Sequence, residues 1–182
     1  MALRLRKTVV LVGMMGAGKT AIGKALALRL GVPFLDSDAE IEAAANMSIA
    51  EIFSRDGEPF FRKKESQVIG RLLDAGPSIL STGGGAYLAD INRNMISEKG
   101  VAVWLNADLD TLWNRVRHKD TRPLLRTSDP KGTLAALCEL REPIYALADL
   151  SVESLPRYSI EETCAKVIEA LKTRPDVLEK VT

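Results

Sequence analysis

The 182-residue chain reads as an α/β protein, a parallel sheet covered by helices on both faces. Three observations predict this. Short apolar runs alternate with segments of helical periodicity along the whole chain, the pattern of βαβ units. The first run, Thr8–Val12, is β-branched and apolar and leads through a glycine-rich turn into a helix, as a strand buried on both faces would. The length suits one domain, so a single core and a single site are expected over residues 1–182.

The elements follow in order. Residues 21–30 carry Ile22, Ala25, Leu26 and Leu30 at helical spacing, and Gly31 ends that helix. A second short strand is expected over 32–36. Ser48-Ile49-Ala50-Glu51 has the form of a capping box and opens a short helix toward Arg55. A further helix is expected over 59–73, a third strand over 78–82 and a fourth over 101–105. A helix follows at 109–117. The polar stretch 118–132 is long for a loop in a compact domain, and such loops are often lids. A helix over 134–147, a fifth strand over 150–152 and a last helix to Leu171, opened by Ser159-Ile160-Glu161-Glu162, complete the pattern. Pro175 ends regular structure, so the tail over 174–182 is expected to fray.

Composition excludes several classes. Hydrophobic residues at 46% and charged residues at 27% argue against disorder and against a fibrous chain. A net charge of +1 gives no bulk signature of nucleic-acid or membrane-surface binding. Cys138 and Cys164 lie in helical apolar patterns without a CxxC or a Cys/His cluster, and read as buried free thiols of a reducing compartment. The apolar run after the basic N-terminus stops at Gly13, too short for a signal segment or a membrane span. A cytoplasmic protein is expected.

Gly13-Met14-Met15-Gly16-Ala17-Gly18-Lys19-Thr20 fits G-x-x-x-x-G-K-[ST] between a buried strand and a helix, the context that the motif requires. Glycines let successive N–H groups turn inward around a phosphate, and the helix N-terminus adds its positive end. Lys19 can reach β- and γ-oxygens and Thr20 can ligate Mg²⁺. A plain glycine-rich turn would have no use for Lys-Thr at its end. The motif points to a nucleoside triphosphate and leaves the acceptor open.

Asp36-Ser37-Asp38 sits at the C-terminal end of the second expected strand, the edge where open α/β sheets bind ligands. Carboxylates at i and i+2 of an extended segment would point the same way, one toward a metal's water shell and one toward an acceptor hydroxyl. A helix N-cap is the plainer alternative for Asp38. Gly83-Gly84-Gly85 ends the third strand; the entropy of three glycines suggests a ligand close to the backbone, with a loose turn as the alternative. Arg62 and Arg141 are solvated helix surface by default, and His118 is a solvated loop residue.

Taken together and in order, these motifs resemble the shikimate kinase family from about Lys7 to Leu171. The resemblance rests on the phosphate-binding loop at 13–20, Asp36-Ser37-Asp38, Phe61-Arg62 followed by Glu65, Thr82-Gly83-Gly84-Gly85, Arg122-Pro123-Leu124-Leu125, and Arg141 with Pro143 and Tyr145. It implies a P-loop three-layer sandwich whose five parallel strands lie in the order 2-3-1-4-5. It implies phosphoryl transfer from ATP to the 3-hydroxyl of shikimate, with Mg²⁺. By the same resemblance Asp38 is the base and Asp36 lies near Mg²⁺ through water. Arg62 and Arg141 clamp the shikimate carboxylate, Gly84 lies close to the ring, and Arg122 is the lid arginine. Arg115 matches an arginine that stacks on adenine, although Arg117 is close by. A monomer that meets neither nucleic acid nor membrane is expected.

Two rivals share the phosphate-binding loop. A gluconate or nucleotide kinase would use the same donor; a nucleotide acceptor needs a second base pocket, for which no motif is present. A GTPase-like switch would carry Asn-Lys-x-Asp, which the sequence lacks, and Asp129-Pro130-Lys131-Gly132 follows no strand.

Overall fold

The computed structural model describes residues 2–118 and 125–182. Its centre is a five-stranded parallel sheet. The strands are β2 (Thr8–Val12), β3 (Phe34–Asp36), β4 (Ile79–Ser81), β5 (Gly100–Asn106) and β6 (Leu150–Glu153), in the spatial order β3-β4-β2-β5-β6. Numbered within the sheet alone, this is the order 2-3-1-4-5 that the resemblance implies. β2 is central, with Val9 and Val10 paired to Ile79 and Leu80 on one side and to Val101 and Ala102 on the other. All five of its residues are buried, which explains a run without alternation.

Helices α1 (Lys19–Leu30), α2 (Ser37–Ala45), α3 (Ile49–Asp56), α4 (Glu58–Asp74), α5 (Asp90–Lys99), α6 (Leu109–Val116), α7 (Pro130–Tyr145) and α8 (Ile160–Leu171) connect and cover the strands. Gly31 closes α1 in the left-handed conformation, as expected of a glycine just past a helix end. Ser159 and Glu162 form a complete capping box at α8. The core is continuous around β2, β4 and β5, with Leu26, Ile69, Leu80, Val103 and Val167 fully enclosed. Cys138 and Cys164 are both buried free thiols.

The structure corrects the reading of the C-terminal tail. Leu178–Val181 is a strand, β7, not a frayed tail, and it pairs antiparallel with β1 (Ala2–Leu5). Val177 and Leu178 are buried in the core. Arg6 joins Glu179 and Lys7 joins Asp176 across the same seam. The apolar residues that anchor this small sheet belong to segments about 170 residues apart, so neither short segment announces the pairing by itself.

Three helices also differ from expectation. α7 begins at Pro130, one turn earlier than expected, because Asp129 accepts from the Gly132 N–H as N-cap and Pro130 fills the first helical position, where a missing N–H costs nothing. The expected lid over 118–132 therefore contains the first residues of a helix, and its segment 119–124, with Arg122, lies outside the described residues. α5 is unexpected in a sequence with little apolar periodicity. α2 starts directly from β3, with a consequence for the site.

Candidate active site

The phosphate-binding loop joins β2 to α1 at the C-terminal edge of the sheet. Gly13, Gly16 and Gly18 hold φ values of 148°, 84° and 95°, which L side chains rarely adopt. A Cβ on Gly16 would lie 2.8 Å from Val116 Cγ1 of α6, so glycine is required there twice over. Met14 and Ala17 are buried, Met15 is half-buried, and the Ala17 N–H donates to the Met14 carbonyl at 3.1 Å. Lys19 arches back over the loop, donating from Nζ to the carbonyls of Gly13 at 2.6 Å and Met14 at 3.2 Å. Thr20 is exposed in the first turn of α1.

Asp36, not Asp38, is the cap of α2. Its Oδ1 accepts from the backbone N–H groups of Asp38 and Ala39 at 2.9 and 3.1 Å. Ser37 and Asp38 are already helical, so the expected extended segment with two parallel carboxylates does not form. The alternative that made Asp38 the cap fails as well: the carboxylate that caps is the one at the strand end, where the backbone is still extended. Asp38 is thereby free to turn inward. Burial pushes its carboxyl above the ordinary value, Asp36 and Glu42 push the same way, and Lys19 and Arg62 pull it back.

The three consecutive glycines have a specific cause. A Cβ on Gly83 would meet the Asp38 carboxylate at 2.8 Å, one on Gly84 would meet Arg141 Nη1 at 2.8 Å, and one on Gly85 would meet Arg62 Nη2 at 2.5 Å. Side chains from α2, α7 and α4 thus converge on one short strip of bare backbone at the end of β4. The loose-turn alternative fails: this backbone is closely approached, where the sequence suggested a ligand as the cause. In this structure the approaching groups are protein side chains.

Arg141 is not solvated helix surface, and Arg62 is half-buried. Arg141 is only 8% exposed and its Nε is buried without a partner. Arg62 donates from Nη1 to Glu65 Oε1 at 2.9 Å, and Glu65 is almost wholly enclosed. Burial raises the Glu65 carboxyl, against the pull of Arg62. Tyr145 donates its hydroxyl to the Gly84 carbonyl at 2.6 Å; burial raises the hydroxyl's affinity for its proton, and the nearby Arg141 charge pulls it back. Glu65 and Tyr145 belong to the motifs of the sequence but were not expected at the site. Their signal is helical spacing, i+3 from Arg62 and i+4 from Arg141, which puts each on the same face as its arginine.

On the far side of the phosphate loop, Arg115 donates from Nη1 to the Gly16 carbonyl at 2.9 Å and to Ser154 Oγ at 3.3 Å. Arg117 follows α6 and is exposed. Of the two candidates for the nucleotide side, Arg115 is the one in contact with the loop. His118 is exposed.

The shikimate kinase family model matches residues 15–172. A shikimate kinase of Ruegeria pomeroyi is 70% identical over 98% of this chain and 91% of its own length. One from Cereibacter sphaeroides is 68% identical over 97% and 88%. The solved shikimate kinase from Acinetobacter baumannii in complex with shikimate superposes with a TM-score of 0.85 at 34% identity, covering 92% of this chain and 94% of the other. A gluconokinase from Sinorhizobium meliloti reaches 0.62 at 20% identity, which establishes a shared fold and nothing narrower. A glycine strip that gathers one carboxylate and two arginines beside a phosphate loop, together with relatives alike over nearly their whole length, places the chain in the shikimate kinase family.

Proposed function

We propose that the chain transfers the γ-phosphoryl group of ATP to the 3-hydroxyl of shikimate, giving shikimate 3-phosphate and ADP, and that the residues gathered at the glycine strip carry the acceptor. The observation that supports this best is the convergence of Asp38, Arg62 and Arg141 on Gly83, Gly84 and Gly85. Shikimate is a small ring with one carboxylate and several hydroxyls. Two guanidinium forks suit the carboxylate, and one inward carboxylate suits a hydroxyl.

Glu65 holds Arg62, and Tyr145 holds the Gly84 backbone that Arg141 approaches, so the Arg62 fork and the glycine strip are set before the substrate arrives. Such pre-organisation is what positional catalysis needs. Asp38 accepts the hydroxyl proton as the oxygen attacks phosphorus. Its raised affinity for a proton makes it a better base than an ordinary aspartate. Gly13, Met14, Met15, Gly16, Ala17 and Gly18 wrap the phosphates, and Lys19 exchanges loop carbonyls for phosphate oxygens. Arg115 borders the nucleotide. Arg122, outside the described residues, meets the γ-phosphoryl when 118–132 closes as a lid and excludes water.

The donors fit Mg²⁺: the exposed Thr20 hydroxyl would ligate the ion directly and the Asp36 carboxylate, at the end of β3, would reach it through water, both being hard oxygens. When bound, the ion offsets charge on the β- and γ-phosphates. We place the protein in the cytoplasm as a single-domain monomer acting on two small molecules, with no nucleic acid or membrane partner. No described helix is long and apolar enough to cross a membrane.

The direct test is coupled ADP release with shikimate, quinate, gluconate and nucleoside monophosphates as acceptors. Release should depend on shikimate. Turnover of gluconate with indifference to shikimate would overturn the proposal.

A further inference from the structure

Ser154 follows β6 directly and is 3% exposed. No sequence motif includes it. Its backbone N–H donates to the carbonyl of Asn106 at 2.8 Å, so it extends the β5–β6 pairing by one residue and is fixed to the sheet. Its hydroxyl lies against the phosphate loop, 3.1 Å from the Ala17 carbonyl and 3.3 Å from Arg115 Nη1. Arginine has donors only, so the hydroxyl must accept from Arg115 and donate to Ala17. The proton's place is therefore fixed by chemistry.

Two adjacent loop carbonyls are thus pinned from outside: Gly16 by Arg115 and Ala17 by Ser154. A trans peptide points its C=O and its N–H in opposite directions, and the chain has no cis peptides among the described residues. Holding the Ala17 carbonyl toward β6 turns the Gly18 N–H away from β6. The neighbouring Ala17 N–H is already committed to the Met14 carbonyl. Gly18 itself holds φ at 95°, a setting from which a glycine peptide turns easily unless something restrains it.

We infer that Ser154 is a positioning residue for the phosphate loop: its hydroxyl fixes the Ala17–Gly18 peptide so that the Gly18 N–H faces the triphosphate. The inference rests on the reading of 13–20 as the ATP phosphate site. It adds that this cradle is set by the sheet edge at β6. Loss of the hydroxyl leaves the buried Ala17 carbonyl without its donor and lets the peptide rotate, which costs phosphate affinity.

The test measures binding of ADP and of inorganic tripolyphosphate by calorimetry to wild type, Ser154→Ala and Ser154→Cys, with KM for shikimate alongside. Cysteine nearly matches serine in shape and is a poor donor, so it carries the test if the alanine variant does not fold. Both variants should bind both phosphate ligands about fivefold or more weakly, with KM for shikimate little changed. A folded variant that binds ADP as wild type does overturns the inference. So does weaker ADP binding with unchanged tripolyphosphate binding, which would put the effect at the base or ribose. An equal loss toward ADP and shikimate would mark a general structural role and also overturns it. Failure of the wild type itself to bind ADP would instead defeat the ATP-site reading.

Discussion

Asp38, the base we propose, sits where its charge works against stability. Its carboxyl binds a proton more tightly in the folded chain than in the unfolded one, chiefly through burial. The group therefore favours folding at low pH, and that contribution is lost as pH rises from its ordinary value of 3.8 through the raised one. Above that window the buried charge weakens the fold. Asp38→Asn removes the charge and nearly keeps the shape, so thermal melting at neutral pH should move upward. Turnover should fall by about 10²–10⁴-fold, because the amide cannot take the hydroxyl proton. Loss of kcat without a rise in Tm would separate the residue from this electrostatic account. In the wild type, the acidic limb of kcat/KM for shikimate should lie above the ordinary aspartate range, measured from pH 4 upward.

Three of the site's side chains come from three different helices, and this is where the sequence stops being legible. The phosphate loop could be read outright, since its strand, turn and helix are contiguous. The glycines suggested a ligand close to the backbone, but not that Asp38, Arg62 and Arg141 also reach it, because those side chains arrive through tertiary contacts. Arg141 looked like surface because burial of α7 against β4's end is not written in local periodicity. The cap at α2 was misplaced for a related reason: which aspartate caps depends on where β3 ends. Helix α7 gives the sharpest prediction at this scale. Arg141→Ala should raise KM for shikimate at least roughly 30-fold, the loss expected when one partner of a desolvated charge pair is removed. KM for ATP should hardly change, and an equal rise in both would return Arg141 to a structural role. At the opposite edge of the molecule, β1 and β7 have no part in the chemistry. Leu178→Ala should lower stability by about 2 kcal/mol or more in urea unfolding and leave both KM values alone.

At the scale of the whole molecule, the sheet edge carries the phosphate loop and the glycine strip side by side, while the expected lid, 118–132, lies after α6 and includes the first residues of α7. If that segment closes over the donor, Arg122→Ala should lower kcat by about 10² or more, and Arg122→Lys should restore little, since a point charge replaces a fork. Limited proteolysis between α6 and α7 should be slowed only when an ATP analogue and shikimate are both present. We propose that the two arginines at the glycine strip read the acceptor's carboxylate. It is tested most directly by comparing shikimate with its methyl ester, in wild type and in the Arg62→Ala, Arg141→Ala double variant. Esterification should cut kcat/KM in the wild type at least roughly 30-fold and have little further effect in the double variant; a wild type that phosphorylates ester and acid equally well would contradict the account.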